Sequence, residues 1–136
     1  MHAYEGLVVE YQGILYPASR KGNMLHTPSF IPEDEIKNVF YVTYCFCFRG
    51  LEGTALGTRD KKRLPICVDG FPDKSRLEGL DYSRFDKMTT LVNIDFDDCD
   101  KVYVHKRKFK DYGIYGEEQE ILKTYEELKT YVTRNY

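Results

Sequence analysis

Residues 39–48 read VFYVTYCFCF, a run with no charge, glycine or proline. Nearly every member is β-branched or aromatic, the composition of a strand. A strand with one wet face alternates with polar residues, so the unbroken run predicts a central strand covered on both faces. Its alternation is one of size. Phe40, Val42, Tyr44, Phe46 and Phe48 point one way, and Val39, Tyr41, Thr43, Cys45 and Cys47 the other.

Upstream, Leu7 to Tyr16 forms two β-rich arms around Gln12-Gly13. A two-residue turn there pairs Tyr11 with Ile14 and Val9 with Tyr16, and puts Leu7, Val9, Tyr11, Ile14 and Tyr16 on one face. Ser19 to Asn38 reads mainly as loop, with Pro32-Glu33-Asp34-Glu35 opening a short helical turn.

Downstream, Arg49 to Arg63 is a glycine-punctuated connection, and Leu64–Val68 a short strand with Pro65 at its start or edge. Asp69 to Asp86 reads as a loop from which Leu77, Leu80, Tyr82 and Phe85 tuck onto the core. Lys87–Phe96 and Lys101–Lys108 read as strands joined into a hairpin by the acidic turn Asp97 to Asp100. Glu117 to Arg134 reads as a helix. Ile121, Tyr125, Leu128 and Val132 fall at helical spacing, with Leu122 and Tyr131 widening the stripe and acids in the first turn.

The expected fold is therefore a single α+β domain over residues 1–136. It has a curved, mainly antiparallel, partly barrel-like sheet of about five or six strands, with the C-terminal helix packed on its aromatic face.

A chain of 136 residues suffices for one ordinary core, and 42% apolar with 31% charged residues is a globular composition. The net charge of −2 exerts no global pull on nucleic acid or membrane. No run reaches the length of a membrane span, and Glu5 and Glu10 interrupt the N-terminus where a secretory signal is apolar. The four cysteines lie in or beside strands, which points to reduced thiols and a cytoplasmic protein. They read as small buried hydrophobes rather than a Cys₄ zinc site.

Three constellations carry candidate chemistry. Asp95, Asp97, Asp98 and Asp100 cluster carboxylates of the kind that hold Mg²⁺ or Ca²⁺, against the alternative of an acidic turn. Arg59, Lys61, Lys62 and Arg63 form one basic cluster and Lys106, Arg107 and Lys108 another; brought together beside aromatic rings, they suit single-stranded nucleic acid. Tyr82, Arg84 and Phe85 in one loop, with Lys106, Arg107, Lys108, Phe109, Tyr112 and Tyr115 in another, are the candidate contacts for a protein partner, because Tyr and Arg dominate interface hot spots.

Residues 6–18, GLVVEYQGILYPA, resemble the first hairpin of SH3-like barrels, which implies an aromatic-lined strand pair opening a binding module. Leu15-Tyr16-Pro17-Ala18-Ser19, then Val39–Thr43, then Glu118-Gln119-Glu120 resemble the order of motifs in ADP-ribosyltransferases. That resemblance implies a nicotinamide nucleotide at the first strand and chemistry at the late glutamates. Pro17 stands where that family carries its His.

Together these readings favour a small non-enzymatic interaction protein of inhibitor or adaptor type, such as a phage or mobile element encodes. It is expected to act on another protein without a cofactor. The alternatives are a nucleic-acid-binding module, a metal-dependent enzyme and an ADP-ribosyltransferase-like nucleotide enzyme. The sequence leaves open the oligomeric state and whether the edge of the Leu7–Tyr16 hairpin pairs with another chain.

Overall fold

A computed structural model describes residues 4–55, 62–110 and 113–134. In chain order the strands and helices are β1 (Gly6–Tyr11), β2 (Ile14–Pro17), β3 (Ser19–Lys21), β4 (Met24–His26), β5 (Asn38–Phe48), β6 (Leu51–Ala55), β7 (Arg63–Asp69), α1 (Lys74–Leu77), β8 (Asp81–Arg84), β9 (Thr89–Asp95), β10 (Lys101–Lys110), β11 (Gly113–Leu122) and α2 (Tyr125–Thr130). Single 3₁₀ turns occupy Glu33–Glu35 and Phe96–Asp98.

The stretch that opened the sequence reading is β5, and the sheet forks on it. One edge of β5 carries β10, from Val39 to Cys47. The other edge is shared, with β1 along Asn38–Val42 and β6 along Cys45–Phe48. From the fork, β1 leads to β2, while β6 leads through β7 and β9 to β8. Neither β1 nor β6 spans Tyr44, and the Glu5 carboxylate fills that gap by accepting the Tyr44 N–H at 3.1 Å. Glu5→Ala removes this acceptor from a partly buried amide, and the expected loss is about 1–3 kcal/mol in urea denaturation. Glu5→Gln keeps an oxygen in reach and should retain most of the stability.

Two tight turns set the registers at the fork. Gln12 (φ 52°) and Gly13 (φ 77°) are both left-handed, as a type I′ hairpin requires, and Tyr11 pairs with Ile14 and Val9 with Tyr16 as the sequence predicts. Arg49 (φ 49°) and Gly50 (φ 76°) make a second such turn between β5 and β6. A bulky side chain is tolerated there because Arg49 is tied on several sides. Its N–H donates to Asp100 Oδ2 at 3.0 Å, and its guanidinium donates to Arg76 O at 3.1 Å and Glu78 O at 2.7 Å.

The aromatic side of β5 is the core. Phe40, Val42, Tyr44, Phe46 and Phe48 are all buried, with Val8 and Leu15 from the β1–β2 arm, Leu64, Ile66, Val92 and Ile94 from the other, and Leu122, Leu128 and Val132 from the C-terminal region. The opposite face departs from expectation. Val39 packs on a small second cluster of Val9, Tyr16, Ala18 and Ile31, and Cys45 is buried, but Tyr41 is 39% exposed. Thr, Cys and Tyr tolerate water as Phe and Val do not, so the run needed only one fully dry face.

Other expectations are corrected. The sheet has nine strands rather than five or six, with β3–β4 as a separate two-stranded ribbon inside the region read as loop, and it does not close into a barrel. The fold is mostly antiparallel β with short helices. Lys87–Phe96 and Lys101–Lys108 do not form a hairpin: β9 pairs with β7 and β8, and β10 with β5 and β11. Leu77 is buried and Leu80 packs against the core, but Tyr82 and Phe85 are exposed.

The predicted 117–134 helix is the largest difference. Gly113–Leu122 is an edge strand, because its acids meet basic side chains of β10. Glu117 lies 3.5 Å from His105, Glu118 lies 2.7 Å from Lys108 and 3.5 Å from Lys106, and Glu120 lies 3.7 Å from Lys106. The helix starts only after Thr124, whose hydroxyl accepts the Glu127 N–H at 3.1 Å while the Glu127 carboxylate accepts the Lys123 N–H at 2.8 Å. Leu128 and Val132 still reach the core, and Tyr131 meets the Tyr44 ring edge-on at 6.4 Å. Beyond α2, the Thr133 N–H donates to Leu15 O at 2.8 Å, so the segment after α2 lies against the outer side of β2. Among the described residues no helix is long and apolar enough to cross a membrane.

Candidate interaction edge

β9 is built by alternation: Thr90, Val92 and Ile94 face the core while Leu91 and Asn93 face outward. β8 lies along it with Asp81 opposite Asn93, Tyr82 opposite Val92, Ser83 opposite Leu91 and Arg84 opposite Thr90. The loop between them closes where the Phe85 N–H donates to Thr89 O at 3.0 Å, and the Asp86 carboxylate accepts the Met88 N–H at 2.8 Å. Upstream, Leu77 anchors α1 in the core and Gly79 (φ 78°) turns the chain back into β8. Among the described residues nothing pairs with the other side of β8, and all four of its residues are exposed.

Around this edge stand large apolar groups with little cover. Tyr82 is 43% exposed, Phe71 48%, Phe85 54% and Met88 73%. The Arg84 guanidinium lies 4.2 Å above the Phe71 ring. Phe71, Pro72, Leu77, Tyr82, Arg84 and Thr90 line a shallow cavity of 170 Å³. A row of outward backbone donors and acceptors, flanked by rings and a stacked guanidinium, can add a strand from another polypeptide and bury apolar side chains beside it. Tyr82, Arg84 and Phe85 were legible as candidates. Phe71 and Met88 were missed: the sequence places Met88 inside a strand over Lys87–Phe96, but β9 begins only at Thr89.

The second candidate loop is a strand pair, and the strand period divides its charges. Lys106 and Lys108 lie over the Phe40 ring at 5.2 and 5.9 Å, on the core-side face, and pair with Glu118 and Glu120. The Glu118 carboxylate raises the Lys108 pKa, and Lys108 lowers that of Glu118. Arg107 points to the opposite face, 5.4 Å over Tyr41. The three successive cations thus form no common patch. Phe109 lines a cavity with Leu7, Leu25 and Val39, and the Tyr115 hydroxyl donates to Asn38 Oδ1 at 3.2 Å. Lys62 pairs with Asp97, and Arg63 lies opposite Asp95 in the β7–β9 register. Arg59, Lys61 and Tyr112 lie outside the described residues.

The acidic turn distributes its carboxylates instead of focusing them. Asp95 Oδ1 accepts the Asp97 N–H at 2.9 Å, Asp97 pairs with Lys62, and Asp100 Oδ2 accepts the Arg49 N–H. Asp98 is exposed. Among the described residues no group of three or more His, Cys, Asp or Glu is placed to hold a metal ion.

All four cysteines are free thiols. Burial is the main cause that raises the pKa of each, and for Cys99 burial with the neighbouring Asp100 and Asp98 carboxylates pushes it up to about 12. At neutral pH they are protonated, not thiolate nucleophiles. The glutamates of the ADP-ribosyltransferase resemblance, Glu118 and Glu120, sit in ion pairs on β11, and Glu120 also accepts the Tyr131 hydroxyl at 2.7 Å. Comparison with family models, with curated proteins and with solved structures gives no match for this chain.

Proposed function

We propose that this chain acts by binding another protein, and that the β8 edge with its flanking side chains is the contact surface. The observation that supports this most directly is the outer edge of β8, without a strand partner among the described residues and set among exposed Phe71, Tyr82, Phe85 and Met88. Isolated exposed apolar residues are ordinary on a folded surface; several gathered at a free strand edge mark an interaction site. The mode is strand addition. Backbone hydrogen bonds supply register, while the rings of Tyr82 and Phe71 and the Arg84 guanidinium supply buried area and orientation. In this reading the chain is a non-enzymatic inhibitor or adaptor, occupying a surface of its target.

The test is a triple change, Tyr82→Ala, Arg84→Glu and Phe85→Ala, on exposed side chains outside the core. The tagged wild-type chain is expected to retain a discrete protein from its host cells, and the variant to lose it by tenfold or more while its melting temperature stays put. Retention by both proteins alike places the contact elsewhere.

A further inference from the structure

We infer that, when no target strand occupies it, the β8 edge pairs with a second copy of this chain, as a two-fold dimer in which the two β8 strands run antiparallel with Ser83 on the axis. The inference rests on reading β8 as a protein-binding edge and adds that the target strand displaces this self-pairing.

The argument begins with which backbone groups face outward. The Phe85 N–H donates to Thr89 O, which makes Phe85 and Thr89 a hydrogen-bonded pair of the β8–β9 ladder. In an antiparallel ladder such pairs alternate with non-hydrogen-bonded ones. Ser83 and Asp81 therefore also direct their amides and carbonyls to β9, and Tyr82 and Arg84 direct theirs to the free side. A partner strand must engage Tyr82 and Arg84.

A two-fold axis then restricts the register. Residues directly opposite each other across an antiparallel pair put their side chains on the same face, so a self-paired strand is centred on a residue rather than between residues. Centring on Tyr82 engages only one outward residue per copy, across from itself. Centring on Ser83 places Tyr82 of each copy opposite Arg84 of the other. Both outward residues then exchange their backbone hydrogen bonds, and the axis doubles the set. The side chains agree with that register: a guanidinium meets a phenol ring, a favourable cation–π pair, rather than its like. At the axis the pair is Ser83 with itself, small and uncharged, so two strands can close upon it.

The opposite end of the sheet shows the contrasting case. β11 is a longer edge, but it carries Glu117, Glu118 and Glu120, and self-pairing would bring acids together. Charge of this kind guards an edge against association. β8 carries a single acid, Asp81, which the Ser83-centred register sets opposite Phe85 of the other copy and not against a second acid, and its surrounding Phe71, Phe85 and Met88 gain cover from that copy.

Sedimentation equilibrium over a range of concentrations reads the association directly. The 16.0 kDa chain is expected to approach twice that mass as concentration rises. Arg84→Pro removes an outward N–H without disturbing the bonds to β9, and should hold the chain at monomer mass with an unchanged circular dichroism spectrum. Ser83→Cys fixes the register, because non-hydrogen-bonded antiparallel pairs bring Cβ atoms close enough for a disulfide. Under mild oxidation it should give a covalent dimer, whereas Tyr82→Cys and the wild-type chain with its four thiols should not.

A chain that stays monomeric at every concentration, or a dimer indifferent to Arg84→Pro, overturns the inference. Monomeric behaviour combined with loss of a captured protein in the Tyr82, Arg84 and Phe85 variant would remove the dimer and leave the binding edge standing. Failure of both removes the two together.

Discussion

Phe46→Ala is expected to cost about 3–5 kcal/mol, the range for deleting a fully buried ring. Phe46 has no solvent exposure and lies at the middle of β5, opposite Val102 of β10 on one side and Gly53 of β6 on the other. It is therefore paired on both sides, and neither β10 nor β6 can shift into the vacated space without losing register with β5. Against a total stability of about 5–15 kcal/mol for a domain of this kind, the variant should be largely unfolded well before the wild-type midpoint in urea. Tyr41→Ala is the informative partner. It lies on the opposite face of the same strand, half-exposed, with the Arg107 guanidinium over its ring. Its expected cost is below about 1 kcal/mol. Equal losses from the two changes would mean that β5 is buried on both faces after all.

Those two residues also show what the sequence made legible. The size alternation of residues 39–48 separates the two faces correctly, because a strand's period of two is a local property, while the expectation that both faces are covered fails at Tyr41. The Gln12-Gly13 hairpin is legible for the same reason: turn chemistry and pairing lie within ten residues of one another. What failed was non-local. Nothing in residues 87–108 states that β9 pairs with β7 while β10 crosses to β5, since those partners lie far away in sequence. The Glu117–Arg134 helix failed differently. Leu122 and Leu128 are core residues on separate elements, and their spacing matched a helix by coincidence. A local signal did mark the true start: Thr124-Tyr125-Glu126-Glu127 has the form of a capping box, with the hydroxyl residue followed three positions later by Glu.

The candidate site was partly legible in the same sense. Tyr82, Arg84 and Phe85 have interface chemistry by composition, but their position at a free edge depends on the order of strands in the sheet. The basic run Lys106-Arg107-Lys108 is the reverse case. Once it is a strand, alternation alone separates Arg107 from the two lysines, and that rule needs no structure to apply.

Gly53→Ala is the second large effect, expected at about 3 kcal/mol, the upper part of the range for forcing extra atoms into a packed interior. Gly53 sits in β6 between Phe46 of β5 and Val68 of β7, and no left-handed backbone requires a glycine there. The requirement is proximity: a methyl group at this position would press into the Cys67 carbonyl and come within 2.7 Å of Ile66 Cγ2. A backbone carbonyl cannot rotate away as a flexible side chain does, so β6 and β7 must separate. Gly13→Ala makes the comparison. It puts a methyl group into open space at φ 77°, and only the left-handed strain of about 1–2 kcal/mol applies. Among the described residues, the β6–β7 pairing is the route by which the sheet passes from β5 to β9 and β8. Gly53→Ala should therefore weaken hydrogen-exchange protection along β9 while β1, β2 and β10 keep theirs, and it should lower association through β8 without altering any residue of that edge.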